Sequence, residues 1–114
     1  MANINTFEGV KTWLEQAGEP VAETAFPPDN VPFLPYIVYL DHIERDGGDL
    51  KNGLTKHTLT IERYSEDGKR NELLEDLFDR DGIHWSRDLE WVSDDDFFEE
   101  IYVLDTALYK TEDM

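Results

Sequence analysis

The chain has 114 residues, no cysteine, and a net charge of −17 from ten Lys plus Arg against 27 Asp plus Glu. That length suits one ordinary domain, the missing thiols exclude disulfide, zinc-thiolate and thiol chemistry, and the excess of acid repels nucleic-acid phosphates and anionic membranes. Hydrophobic residues at 39% and aromatics at 12% supply material for a core, which excludes a wholly disordered chain.

The absence of cysteine fits a cytosolic, reducing origin, and the start, "MANINTFEGVKTWLEQAGEP", has neither a basic n-region nor a continuous apolar h-region, so no signal peptide is expected. No stretch approaches the roughly 18–20 apolar residues that cross a bilayer, and no membrane partner is expected. Phe7, Val10, Leu14 and Ala17 recur at helical spacing with Trp13 beside them. This predicts a first helix over about 6–17, with Thr6 as N-cap and Gly18 as C-cap.

"PVAETAF" (20–26) is short and strand-like. "PPDNVPFLP" (27–35) holds four prolines in nine residues. It lacks the amide donors of a helix or a central strand and is expected to be a stiff extended arm carrying Val31, Phe33 and Leu34. "PYIVYLDHIER" (35–45) is apolar on both faces at its start, with Tyr36, Val38 and Leu40 on one side and Ile37, Tyr39 and Ile43 on the other, which predicts a central strand. "RDGGDLKNG" (45–53) is a loop. In "LTKHTLTIERYS" (54–65) Leu59 and Ile61 face one way and Thr58, Thr60, Glu62 and Tyr64 the other, completing a long antiparallel hairpin.

The segment 65–82 holds a second helix with Leu73, Leu74, Leu77 and Phe78 as its apolar stripe, Glu72, Glu75, Asp76 and Asp79 as its wet side, and Gly82 as C-cap. "IHWSRDLEWV" (83–92) and "FFEEIYVLDTALY" (97–109) read as a last hairpin around an acidic turn, before a polar tail at 110–114. The expectation is one α+β domain over 1–114: an antiparallel β-sheet of four to five strands with two helices packed on one face.

Charge is uneven. Residues 71–114 carry fifteen acids against three bases, a net −12 of the total −17. Five of those acids, Asp94, Asp95, Asp96, Glu99 and Glu100, surround Phe97 and Phe98 in "SDDDFFEEIY". A calcium loop is excluded because its sixth position would be Glu99 in place of glycine. No phosphate-binding loop, dinucleotide fingerprint, zinc-protease helix or nucleophile elbow occurs. His42, His57 and His84 all fall on predicted strands; His42 and His57, with Asp41 and Glu62 nearby, are the nearest approach to a metal or acid–base cluster, should they pair across the hairpin. No catalytic, cofactor-binding or metal residue is assigned, and the chain is not expected to be an enzyme. Trp85 and Trp91 share a face of one strand and, with Phe98 and Tyr102 opposite, form an aromatic cluster suited to a core or a subunit interface.

The phrases "LPYIVYLDHIE", "TLTIERYSEDG", "RNELLEDLF", "GIHWSRDLEWV" and "FFEEIYVLD", in that order, resemble the tail-completion or tail-terminator proteins of long-tailed phages, encoded among the head–tail joining genes. The resemblance spans nearly the whole chain and rests on element order, not on a catalytic signature. It implies a homo-oligomeric ring, usually of six copies, in the virion at the head–tail junction. The ring would end the tail tube, meet head-completion and neck proteins, and let DNA pass without binding it. On that reading Pro32, Phe33, Leu34, Pro35, Trp85 and Trp91 are candidate oligomer contacts. Asp94, Asp95, Asp96, Glu99 and Glu100 are candidate lumen acids, since a conduit lined with carboxylates does not hold phosphate. The alternative reading is an acidic DNA mimic that inhibits a host nuclease or restriction system. Against it, the acids interleave with apolar residues in strand patterns and form no continuous acidic helix.

Overall fold

A computed structural model describes residues 9–46 and 54–111, with side chains described over 9–43 and 57–104. Seven elements follow in order: α1 (Val10–Glu15), β1 (Val21–Glu23), β2 (Tyr36–Asp46), β3 (Leu54–Ser65), α2 (Glu72–Arg80), β4 (Trp85–Val92) and β5 (Phe97–Thr111). The strands form one sheet in the order β1-β2-β3-β5-β4. This is an α+β fold with a five-stranded mixed sheet.

The sheet departs from the all-antiparallel expectation at one edge, where β1 runs parallel to β2 with Val21 opposite Ile37. The proline segment explains it. A tight hairpin would have returned the chain antiparallel. The twelve residues from Thr24 to Pro35 instead carry it back to the level at which β1 began. Their path is a series of turns: Thr24 sits at φ 68, the Asn30 amide donates to Pro27 O at 2.9 Å, and the Leu34–Pro35 peptide is cis. Thr24 N and Ile37 N tie the two ends down, to Tyr39 O at 2.9 Å and Pro20 O at 2.8 Å.

The two predicted hairpins are present. In β2–β3 Tyr36 lies opposite Tyr64 and His42 opposite Thr58, and β2 is an interior strand as its two apolar faces require. Its connecting loop, predicted as the 45–53 tip, falls mostly outside the described residues, as do Thr6 and the 112–114 end of the tail. In β4–β5 Val92 lies opposite Phe97, so Ser93–Asp96 form the polar turn, with Asp96 at φ 56.

Alternation along the strands sorts the sheet. Ile37, Tyr39, Leu59, Ile61, Tyr102 and Leu104 join one buried cluster with Val10, Trp13, Leu14 and Ala17 of the α1 segment and Leu74, Leu77 and Phe78 of α2. Trp13, Phe78 and Tyr102 stack in sequence at ring-centroid distances of 5.6 Å. α1 is observed at Val10–Glu15 with Gly9 as its N-cap, shorter than the predicted 6–17, whose start lies outside the described residues. Gly18, at φ 85, takes the left-handed conformation that ends the segment.

α2 is bounded at both ends by side chains and backbone together. Asn71 Oδ1 accepts from Leu73 N at 2.9 Å and Leu74 N at 3.2 Å, and its Nδ2 donates to Ala17 O at 3.2 Å, so one residue caps α2 and ties it to the α1 segment. At the other end Gly82 N donates to Asp79 O and Ile83 N to Phe78 O, the paired bonds of a Schellman turn, with Gly82 at φ 69. Ile83 then packs into the same cluster as Phe78. The predicted faces of α2 need correction at two positions. Leu73 is 59% exposed, and Glu75 is 4% exposed. Glu75 is drawn inward because it has partners there, which an apolarity pattern does not register.

Candidate functional site

The charged residues on the cluster side of the sheet meet each other, with Arg63 and Glu100 buried and Arg87 half-buried. Arg63 of β3 lies directly opposite Glu100 of β5 in the register, and Arg87 of β4 lies opposite Tyr102. The Arg63 guanidinium donates to Glu19 through Nε (2.8 Å) and Nη2 (2.9 Å), to Lys69 O (2.8 Å), and to Glu100 Oε1. Arg87 Nε donates to Glu100 Oε2 at 2.6 Å and its Nη2 to Gly68 O at 3.1 Å. The Tyr102 hydroxyl donates to Glu75 Oε2 at 2.7 Å and lies 3.1 Å from Glu100 Oε2. Arg70 closes the chain on Glu75 through Nε and Nη2.

The electrostatics follow from these contacts. Burial would lower Arg63, but its bonds to Glu19 and Glu100 hold the guanidinium above its usual range. Burial would raise Glu75, but hydrogen bonds from Arg70 and Tyr102 hold it below the usual carboxylate range. Burial, with Glu75 and Glu100 beside it, pushes the Tyr102 hydroxyl up, so it stays a donor. Every group in the network is satisfied by another. Its chemistry is that of a structural brace joining β3, β4, β5, α2 and the turn before β1.

This corrects one candidate lumen acid. Glu100 is 0% exposed and cannot face a channel. Glu99, on the opposite side of β5, is half-buried, whereas Asp94, Asp95 and Asp96 are exposed at the hairpin turn. The candidate oligomer contacts also separate. Phe33 is 96% exposed, with Pro32 and Leu34 half-buried beside it and Pro35 exposed. Trp91 is 51% exposed against Phe98, their ring centroids 4.8 Å apart. Trp85 belongs with the core: it packs against the buried cluster, 5.6 Å from Tyr102, and its indole donates to Asp79 Oδ1 at 2.9 Å. The shared face of Trp85 and Trp91 is real, but only the Trp85 end is covered.

The histidines do not converge. His57 Nδ1 meets Asp41 at 2.8 Å inside the protein. His42 lies one position away in the register, on the other side of the sheet. Among the described residues no group of three or more His, Cys, Asp or Glu is placed to hold a metal, and no helix is long and apolar enough to cross a membrane.

Sequence reasoning did not single out the sheet face opposite the buried cluster. There Phe26, Tyr36, Tyr64 and Phe97 form a ladder of rings at centroid separations of 5.2, 5.3 and 5.2 Å. They line a groove of about 390 Å³ with Val31 and Asp95. The Tyr64 hydroxyl lies 2.9 Å from Glu62 Oε1 and 3.2 Å from Glu99 Oε2. Burial, reinforced by Glu62, raises Glu99 above the usual carboxylate range, and burial with Asp95 raises Tyr36. The signal was present in the strand alternation: Tyr36 and Tyr64 occupy outward positions where a monomeric sheet normally carries polar side chains.

Comparison of the chain with protein-family models, curated proteins and solved structures finds no match in any of the three.

Proposed function

We propose that this protein is a structural component of the head–tail junction of a long-tailed phage. A ring of copies, six in the expected form, ends the tail tube and joins it to the head-completion complex while DNA passes through. Phe33 carries this reading. A phenylalanine 96% exposed on an arm braced by prolines wastes apolar surface in a lone subunit and suits a contact with a neighbouring one. Rings need two different patches per subunit, and the exposed Trp91 on the edge strand β4 is a second apolar anchor. The net charge of −17 supports a conduit that does not retain DNA, with the Asp94–Asp96 turn as the exposed acid most suited to a lumen.

Electron microscopy and sedimentation of the purified protein, alone and mixed with isolated tail tubes, test the proposal. Closed rings, or density capping one end of the tube, are expected. A strict monomer in both samples rejects it.

A further inference from the structure

The aromatic groove has the make-up of a site for a cationic side chain. Its walls are ring faces and edges supplied by Phe26, Tyr36, Tyr64 and Phe97, held in a continuous ladder by three strands and the segment after β1. Asp95 is the acid that lines the groove itself, and two half-buried carboxylates next to it, Glu62 and Glu99, share the hydroxyl of the lining Tyr64. Among the described residues no Lys or Arg forms an ion pair with any of these three acids. The described arginine pairs, through Arg63, Arg70 and Arg87, use Glu19, Glu75 and Glu100.

The groove therefore concentrates negative charge beside aromatic faces. A guanidinium is the group that satisfies both: it stacks on a tyrosine or phenylalanine ring and donates in parallel to a carboxylate. Charge also decides among occupants. A second copy, itself at −17, brings an acidic surface to an acidic groove, and its arm carries Asp29 beside Val31 and Phe33. A lipid surface or nucleic acid brings phosphate. Only a basic partner gains from the field of the whole protein as well as from the groove.

We propose that this groove docks a protein segment that presents an arginine side chain, the ring ladder stacking on the guanidinium and Glu62, Glu99 and Asp95 accepting its hydrogen bonds. The site stands on its own geometry and does not depend on the phage reading.

The test uses the full chain and three fluorescein-labelled nonapeptides alternating glycine with arginine, lysine or glutamate, followed by fluorescence anisotropy. The arginine peptide should bind most tightly and the glutamate peptide not at all. Glu62→Gln with Glu99→Gln should weaken arginine binding by about tenfold or more. Glu66→Gln with Glu72→Gln removes the same charge from exposed positions elsewhere and should weaken it by less than about twofold. Asp95→Asn, on an exposed turn, provides a smaller loss in a variant that does not touch the sheet. Ring resonances of Tyr36, Tyr64 and Phe97 should shift on titration. Equal losses from the two double variants would reduce the effect to net charge and overturn the site. So would peptide-induced shifts confined to other residues, or a self-associated protein that Tyr64→Ala returns to monomer, which would give the groove to a second copy.

Discussion

Arg63 and Glu100 stand directly opposite each other on β3 and β5 and form an ion pair sealed inside the protein, with Glu100 also holding Arg87. Taking two charges out of water is costly, and the pair is tolerated because Arg63 also donates to Glu19 and Lys69 O while Glu100 also accepts from Arg87. Removing one member leaves the others stranded. Glu100→Ala should destabilise the fold by about 3–5 kcal/mol, measured by urea unfolding. Glu100→Gln, which keeps acceptor capacity, should lose less. Equal, small effects from both would mean that the network is more hydrated than its burial indicates.

The two glycines flanking α2 should respond differently to alanine. Gly68 and Gly82 both have positive φ, at 70 and 69, so each alanine is strained by about 1 kcal/mol or more. A Cβ at Gly82 meets nothing within 4 Å, whereas one at Gly68 would lie 3.0 Å from Phe98 Cγ. Gly68→Ala should therefore cost more than Gly82→Ala in thermal melts, and should alter the Trp91 fluorescence through the Phe98 contact.

Neighbouring leucines in α2 have opposite roles. Leu74 is buried in the cluster, and Leu74→Ala should cost about 2–5 kcal/mol. Leu73 is exposed, and Leu73→Lys should change monomer stability by no more than about 0.5 kcal/mol. The same urea series reads both.

Two glutamates impose opposite pH dependence. Glu75 is held below the ordinary carboxylate range, so its stabilising contribution is present above that range and is lost as pH falls through its folded value. Glu99 is held above the range, so its ionised form opposes folding at neutral pH, and stability is regained as pH falls through its folded value toward about 4.3. Glu75→Gln should destabilise at pH 7 and flatten the acid limb. Glu99→Gln should stabilise at pH 7, with the advantage gone near pH 4. Unfolding free energy measured from pH 3 to 8 checks both signs.

Phe33→Ser tests the arm. It should leave the melting temperature of the monomer nearly unchanged, because the side chain buries almost nothing. It should abolish ring formation in sedimentation. Rings that persist would move the contact to another surface.

The sequence by itself determined the features that depend on near neighbours. The alternation of Leu59 and Ile61 against Thr58, Thr60 and Tyr64 set the faces of β3, because side chains point to opposite sides at every step. Four prolines in nine residues excluded regular structure from 27–35, and Ser93–Asp96 could only be a turn between two apolar runs. Only the tertiary structure decided that β1 pairs parallel, that Trp85 is core and Trp91 is not, that His57 meets Asp41 while His42 lies on the other side, and that Glu75 and Glu100 lie inside with Leu73 outside. A periodicity places an acid on the wet side because it weighs transfer from water alone. For Glu75 one partner, Arg70, is only five positions away, but Tyr102 stands 27 positions off, and Arg63 stands 37 positions from Glu100. The register that sets Arg63 opposite Glu100, and so gives two inward charges of opposite sign to each other, exists only once β3 and β5 have paired.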